Sequence, residues 1–172
     1  MRIIAIDPGI NETSYIIMDP GPKIIGGALI KNPYRSTGKV ARLEKAQVMA
    51  LALERELVRL DKVELAIIEA STGSHGGRCN VNTMCRLAIV SGVAYGACNA
   101  AEKIFVPPPT WKKVQDKYKN HDLYLEPLTK AQKRSLEIKL ARVPKSKQHN
   151  LIDAYCMALW GQEIYINEDI NN

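Results

Sequence analysis

Three acidic residues stand where a fold could bring their carboxylates together. Asp7 ends a short apolar run, Glu69 ends a second one, and Asp153 lies near the start of the last helical segment. If the two runs form neighbouring strands of one sheet, their C-terminal ends lie side by side. Clustered carboxylates repel one another unless a cation joins them, and oxygen ligands suit Mg²⁺ or Mn²⁺. The three residues therefore predict a divalent metal site.

Two further residues fall on the same helical face as the last of these acids. Asn150 and His149 precede Asp153 by three and four residues, so all three can point to one spot. A pair of metal ions held there supports in-line hydrolysis of a phosphodiester. Each acid also has an ordinary explanation: Asp7 opens an Asp-Pro-Gly turn, Glu69 is an exposed strand end, and Asp153 is a surface helix acid.

The distribution of charge favours the chemical interpretation when it is taken together with the acids. Lysine and arginine number 24 against 18 acidic residues, a net charge of +6. Twelve basic and only four acidic residues lie between Lys103 and His149, which leaves the remainder slightly negative. Such a block is typical of a surface that binds a polyanion. A solvated, lysine-rich helix surface is an equally open alternative.

The elements that must position these residues can be inferred from hydrophobic patterning. Apolar and β-branched runs predict strands at 2–7, 14–18, 23–30, 63–68 and 103–106. Helical spacing predicts helices at 40–60, 81–101, 110–119, 129–142 and 148–165, with a loop at 120–127. This alternation predicts an α/β protein with a central mixed sheet and helices on its faces. We expect one domain over residues 1–165 and a polar tail at 166–172.

The remaining composition excludes several classes of protein. The longest uncharged stretch, residues 87–101, is shorter than the roughly 20 residues that cross a bilayer, and no targeting segment is visible. We therefore expect a cytosolic protein with no membrane partner. None of the four cysteines has CxxC spacing, so we expect no zinc site. Cys98 and Cys156 lie in apolar segments typical of core residues.

Several segments of the chain resemble, in order, the RuvC-like Holliday junction resolvases, and specifically a phage-type or divergent member. The segments are Ile3-Ile-Ala-Ile-Asp-Pro-Gly9, Ile67-Ile-Glu69, Leu87-Ala-Ile-Val-Ser-Gly-Val-Ala-Tyr-Gly96, Val106-Pro107, Pro109-Thr-Trp-Lys112 and Asp153-Ala-Tyr-Cys-Met-Ala158. The resemblance implies an RNase H-like fold with a five-stranded sheet, a homodimer, and paired nicking of four-way DNA junctions. It also implies two Mg²⁺ ions in each active site, which Mn²⁺ can replace.

The resemblance also assigns metal ligands. Asp7, Glu69 and Asp153 match the family's acids, but the position three residues before the last acid is usually acidic and here is Asn150. An amide oxygen can bind Mg²⁺ without contributing charge, so we expect weaker metal binding unless His149 takes over. Three explanations stay open: a natural variant that uses Asn150 or His149, a junction binder with reduced catalysis, or a deliberate change that traps an uncleaved complex.

Contacts to DNA and to a second copy follow from the same resemblance. Lys112 matches the family's basic residue near the scissile phosphate, while the helix with Gly92 and Gly96 matches the dimer helix. Further candidates for DNA contact are His75 and Arg78 in the glycine-rich loop 71–78, and Lys113, Lys130, Lys133 and Arg134. Simple solubility or packing within one chain would explain these residues as well.

Other functions remain possible on the sequence alone. A protein of the same fold could bind junctions without cutting them, or could cut other branched DNA or RNA–DNA hybrids. A strand that ends in Asp-Pro-Gly also occurs in actin-like kinases and ATPases. Those proteins close two related domains around a nucleotide, and 172 residues leave no room for a second domain.

Overall fold

A computed structural model describes residues 1–34, 41–70, 81–114 and 116–171 of the chain. The strands are β1 (Ile3–Asp7), β2 (Glu12–Asp19), β3 (Lys23–Lys31), β4 (Val63–Glu69) and β5 (Ala100–Val106). The helices are α1 (Ala41–Leu57), α2 (Val81–Ala97), α3 (Pro108–Trp111), α4 (Lys117–Leu125), α5 (Lys130–Leu140) and α6 (Gln148–Asn171), with a 3₁₀ turn at Lys145–Lys147.

The five strands form one mixed sheet in the order β3-β2-β1-β4-β5. Strands β1, β2 and β3 make an antiparallel meander, and β4 and β5 run parallel to β1. The predicted mixed sheet and the predicted pairing of the first and fourth strands are both confirmed. Because β1 and β4 are parallel neighbours, their C-terminal ends meet at one edge of the sheet.

The alternation of side chains along the strands divides the core into two layers. On β1, Ile3 and Ala5 pack toward α6, whereas Ile4 and Ile6 pack toward α1 and α2. The continuous apolar runs of β1 and β4 follow from burial on both faces. The same parity places the side chain of Asp7, two residues after Ala5, on the face that α6 covers.

Helix α6 lies very close to the sheet. Residues 154–159 of this helix are buried in the core. A Cβ added at Gly161 would come within 2.1 Å of Ile67 Cδ1 on β4. Any side chain at this position must therefore displace Ile67 or move the helix. The backbone of α6 continues through Asn171, so the polar residues after Tyr165 extend this helix.

Two predicted boundaries were wrong. The helix predicted for 81–101 ends at Ala97, because residues from Ala100 onward pair with β4 as an edge strand. The helix predicted for 110–119 ends at Trp111, and Lys112 is extended.

The predicted loop at 120–127 is also wrong for most of its length, because α4 covers Lys117–Leu125. Asp116 caps this helix by accepting a 2.9 Å hydrogen bond from the Lys119 backbone. The buried side chains of Asn120, His121 and Tyr124 then fix its inner face.

Two further expectations concern the membrane and the thiols. No helix in the described ranges combines the length and apolar character needed to cross a membrane. Cys98 and Cys156 are buried, as predicted for core residues, and Cys85 is exposed.

Candidate active site

Asp7 and Glu69 meet where β1 and β4 end. Their strands pair in parallel up to Ile6 and Ile68, the residues that precede the two acids. Burial raises the pKa of Asp7 well above its usual range, and the charge and hydrogen bond of Glu69 raise it further. The two carboxyl groups are therefore close enough to interact, which favours the protonated form of Asp7. The sequence-based prediction that these acids lie together is confirmed by this contact.

Asp153 is the third acid of the site, and it reaches Asp7 from α6. It is only 5% exposed, and its charge also raises the pKa of Asp7. Lys117 Nζ lies 2.5 Å from Asp153 Oδ2, and His121 Nε2 lies 2.7 Å from Oδ1. Burial opposes ionisation of Asp153, but the hydrogen bonds from His121 and Lys117 outweigh it and lower the pKa. Asp153 is therefore ionised and held by two nitrogen groups.

Lys112 reaches the site from the segment that follows α3. Its Nζ lies 3.8 Å from Glu69 Oε1 and 4.9 Å from the ring centroid of Trp111. Trp111 is 1% exposed, so the lysine emerges from a rigid base. The structure thus brings this predicted residue to the carboxylates.

Asn150 lies one turn before Asp153 and contacts β2 rather than the other predicted site residues. Its Nδ2 donates to Glu12 Oε2 over 3.3 Å, and its main-chain carbonyl accepts a 2.7 Å hydrogen bond from Ser14 Oγ. Lys147 Nζ lies 3.0 Å from the same Glu12 oxygen. A second polar cluster beside Asp153 is therefore formed by groups from β2, from the 3₁₀ turn and from the start of α6.

His149 is half-buried at the start of α6. Burial lowers its pKa, and the positive charge of Lys117 lowers it further, while the charge of Asp153 acts in the opposite direction. The lowered pKa favours the neutral imidazole, which is the form that can bind a metal ion.

The other predicted DNA contacts are more scattered. Lys113 Nζ lies over the Tyr124 ring at 4.3 Å and 3.4 Å from Glu163 Oε1. Helix α5 packs against β3, at the far edge of the sheet from β4. Its exposed residues Lys130, Lys133 and Arg134 consequently lie apart from the acids. His75 and Arg78 lie outside the described residues.

Three site residues were missed by sequence reasoning: Glu12, Lys117 and His121. Lys117 and His121 are four residues apart, the spacing of one helical face, but the predicted helix ended at residue 119 and separated them. Glu12 precedes Ser14 by two residues and so shares its face of the strand. The second strand was predicted to begin at residue 14, so the prediction did not place Glu12 on the same strand face as Ser14.

The donor set fits a hard divalent cation. Asp7 and Glu69 supply oxygen ligands, and their proximity contributes to the raised pKa of Asp7. A bound cation would offset the repulsion between the two carboxylates. Within the described ranges, no group of three or more acidic, histidine or cysteine side chains is already arranged around one point as a metal cluster. In this structure Lys117 and His121 contact the two carboxylate oxygens of Asp153.

Comparison with solved structures identifies the class of fold as that of the RuvC-like, RNase H-like resolvases. Neither a family model nor a curated sequence matches the chain. The structure of Thermus thermophilus RuvC in complex with a Holliday junction substrate matches with a TM-score of 0.60, 15% identity and 96% of both chains covered.

Two further resolvases share the architecture. The fowlpox virus resolvase, in complex with Holliday junction DNA, matches with a TM-score of 0.54 and 14% identity over 96% of this chain and 99% of that one. The yeast mitochondrial resolvase Ydc2 matches with a TM-score of 0.53 and 12% identity, covering 94% of this chain and 77% of the other. The resemblance found in the sequence is thus confirmed at the level of the fold.

Proposed function

We propose that this protein is a structure-selective endonuclease that resolves four-way DNA junctions in a reaction dependent on Mg²⁺. The observation that carries the proposal is the meeting of Asp7 and Glu69 at the carboxyl ends of two parallel strands, with Asp153 beside them, in a resolvase-like sheet. Two carboxylates kept together at this cost are typical of a functional site rather than of a stabilising one.

Asp7, Glu69, Asp153 and Asn150 are the residues that would hold the metal ions. Bound divalent ions supply a water of lowered pKa and positive charge for the leaving oxygen. Asp7, which interacts with both Glu69 and Asp153, would be the central ligand of the site. His149 is the alternative ligand, or else it orients Asn150 or Asp153.

The lysines of the site have a separate role in binding the phosphate. Lys112 stands 3.8 Å from Glu69 Oε1 with a quarter of its side chain exposed, so its ammonium can turn to a phosphate oxygen. Lys117 holds Asp153 in this structure and is 39% exposed, which leaves it able to do the same. Both charges would stabilise the additional negative charge of the phosphodiester during hydrolysis.

We further propose that the protein acts as a homodimer through α2. A Cβ at Gly92 or at Gly96 would meet nothing within 4 Å, so neither glycine is needed for packing inside one chain. Glycine in a helix costs roughly 1 kcal/mol relative to alanine, and close approach of a second copy would account for that cost. A two-fold dimer also suits a junction that is itself two-fold symmetric.

A junction-binding protein with weak catalysis is the second candidate. It is favoured by Asn150, which lacks the charge of an acid, and by the contacts of Lys117 and His121 that hold Asp153. A nuclease for other branched DNA or for RNA–DNA hybrids would use the same acids and differ only in substrate shape.

The deciding experiment is cleavage of a labelled immobile four-way junction beside a matched linear duplex and an RNA–DNA hybrid. Each substrate is tested with Mg²⁺, with Mn²⁺ and with chelator. We expect paired nicks in the junction only, dependent on metal, and lost in Asp7→Asn while junction binding is retained. Binding without cleavage under every metal condition would favour the second candidate, and preferred cleavage of the hybrid would refute junction resolution.

A further inference from the structure

Glu12 is a fourth carboxylate on the face of the sheet that carries the proposed active site. Ser14 pairs directly with Asp7 across β1 and β2, and directly paired residues share a face. Glu12 lies two residues before Ser14 on the same strand, so it has the same orientation. Its side chain is 15% exposed, which is low for a glutamate in a domain of this size.

The environment of Glu12 connects it to α6. Asn150 Nδ2 donates to Glu12 Oε2 over 3.3 Å. Ser14 Oγ, on the same strand, holds the Asn150 carbonyl at 2.7 Å. The first turn of α6 is therefore fixed to β2 by both the main chain and the side chain of one residue. Since the amide nitrogen of Asn150 faces Glu12, its amide oxygen is the side-chain atom left to bind a cation.

A carboxylate in place of the Asn150 amide would face Glu12 at about the same separation. Two carboxylates this close in a partly buried site repel one another, because water screens their charges only incompletely. Lys147, 3.0 Å from Glu12 Oε2, would offset part of this repulsion. It is 43% exposed, however, and screening by water weakens such a pair. An amide avoids the repulsion and adds a hydrogen bond.

We propose that Glu12 and Asn150 are an exchanged pair. The carboxylate lies on β2 and the neutral amide lies on α6, at the position where the sequence resemblance leads one to expect an acid. Glu12 is then a positioning residue that turns the Asn150 oxygen away from itself and keeps the site's negative charge at four carboxylates. This inference rests on the proposed function, because it concerns the binding of the metal ions. It also means that Asn150 fits the rest of this chain and is not a defect that Asn150→Asp would repair.

The test compares Glu12→Gln, Asn150→Asp and the double variant Glu12→Gln/Asn150→Asp with the unmodified protein. Glu54→Gln is the matched control, since it removes one charge from an exposed position on α1, across the sheet from the site. Mn²⁺ affinity is measured by isothermal titration calorimetry, and thermal stability is measured in chelator. Neither readout depends on cleavage.

We expect Glu12→Gln to weaken Mn²⁺ binding by about tenfold, the usual scale for residues that orient metal ligands. The double variant should return to within about threefold of the unmodified protein, since the charge has moved to α6 and the amide to β2. Asn150→Asp alone should lower the melting temperature in chelator, and Glu12→Gln should reverse that loss. The control should change neither quantity.

Additive effects of the two substitutions, in affinity and in stability, would overturn the exchanged pair, as would Mn²⁺ binding by Glu12→Gln at the unmodified level. Junction cleavage by the unmodified protein together with additive effects would reject this inference and leave the proposed function intact. If the unmodified protein neither binds Mn²⁺ nor cuts the junction, the proposed function fails and this inference fails with it.

Discussion

Asp7→Asn should make the metal-free protein more stable while it abolishes cleavage. Asp7 and Glu69 interact in a partly buried site, and the charges of Glu69 and Asp153 raise the pKa of Asp7 in addition to burial. An asparagine keeps the size and can donate to Glu69 without needing a proton. Removal of one charge from such a pair relieves a repulsion of up to about 4 kcal/mol, and we expect about 2 kcal/mol to remain after relaxation.

This gain can be measured as a shift of the melting temperature. For a chain of this length, 1 kcal/mol corresponds to about 2–4 °C, so Asp7→Asn should melt about 4–8 °C higher in chelator near pH 7.5. Addition of Mn²⁺ should raise the melting temperature of the unmodified protein by mass action and leave that of the variant nearly unchanged. Junction binding, measured by gel shift, should persist in the variant.

The pH dependence provides an independent check of the cause. Because the folded protein raises the pKa of Asp7 above the unfolded value of 3.8, it binds more protons than the unfolded chain between those two values. Its stability therefore falls as the pH rises through that window. Asp7→Asn lacks this proton, so its advantage should be largest at neutral pH and shrink toward pH 4. An unchanged or lower melting temperature of Asp7→Asn at neutral pH in chelator would refute the reasoning.

Three other predictions concern residues around the site. His121→Ala should lower the free energy of unfolding by about 2–4 kcal/mol in urea titrations, because it leaves Asp153 without a buried partner. Asp122→Ala, at an exposed position, is the control, and an equal loss of stability in both variants would contradict the role of His121. Gly92→Leu should keep the monomer folded and dissociate the dimer in sedimentation experiments, and a dimer that survives would exclude this face of α2. Tyr118 is 74% exposed on α4, so its ring is available to stack on a base of the proposed DNA substrate. Tyr118→Leu should weaken the fluorescence quenching of a 2-aminopurine base at the junction centre, whereas Tyr118→Phe should retain it. Equal quenching by both variants would argue against stacking.

The sheet could be predicted because its strands carry a strong local signal. The apolar runs of β1 and β4 and the Asp-Pro-Gly turn after Asp7 are sufficient to define strand ends, and the carboxyl ends of parallel strands converge by geometry alone. The pairing of Asp7 with Glu69 was therefore accessible from the sequence. The position of Asp153 followed from the helical spacing of the last segment.

The segment between β5 and α6 could not be predicted in the same way. Residues 117–125 contain polar residues on the face that turns inward, and Asn120 and His121 are buried because they find partners in Lys113 and Asp153. Hydrophobic periodicity cannot detect a helix that is held by hydrogen bonds to distant residues. The contacts of Lys117 and His121 with Asp153 are consequently a property of the tertiary structure.

The close packing of α6 on the sheet at Gly161 ties the position of Asp153 to the packing of the core. Asp153 and Gly161 lie on one helix, about two turns apart, and Ile67 leaves no room for a side chain at Gly161. A small shift of the helix at that point would be carried along its axis to the carboxylate. If the proposed nuclease activity is correct, laboratory evolution should find that replacements deep under α6 alter turnover as readily as replacements on the surface proposed to bind DNA.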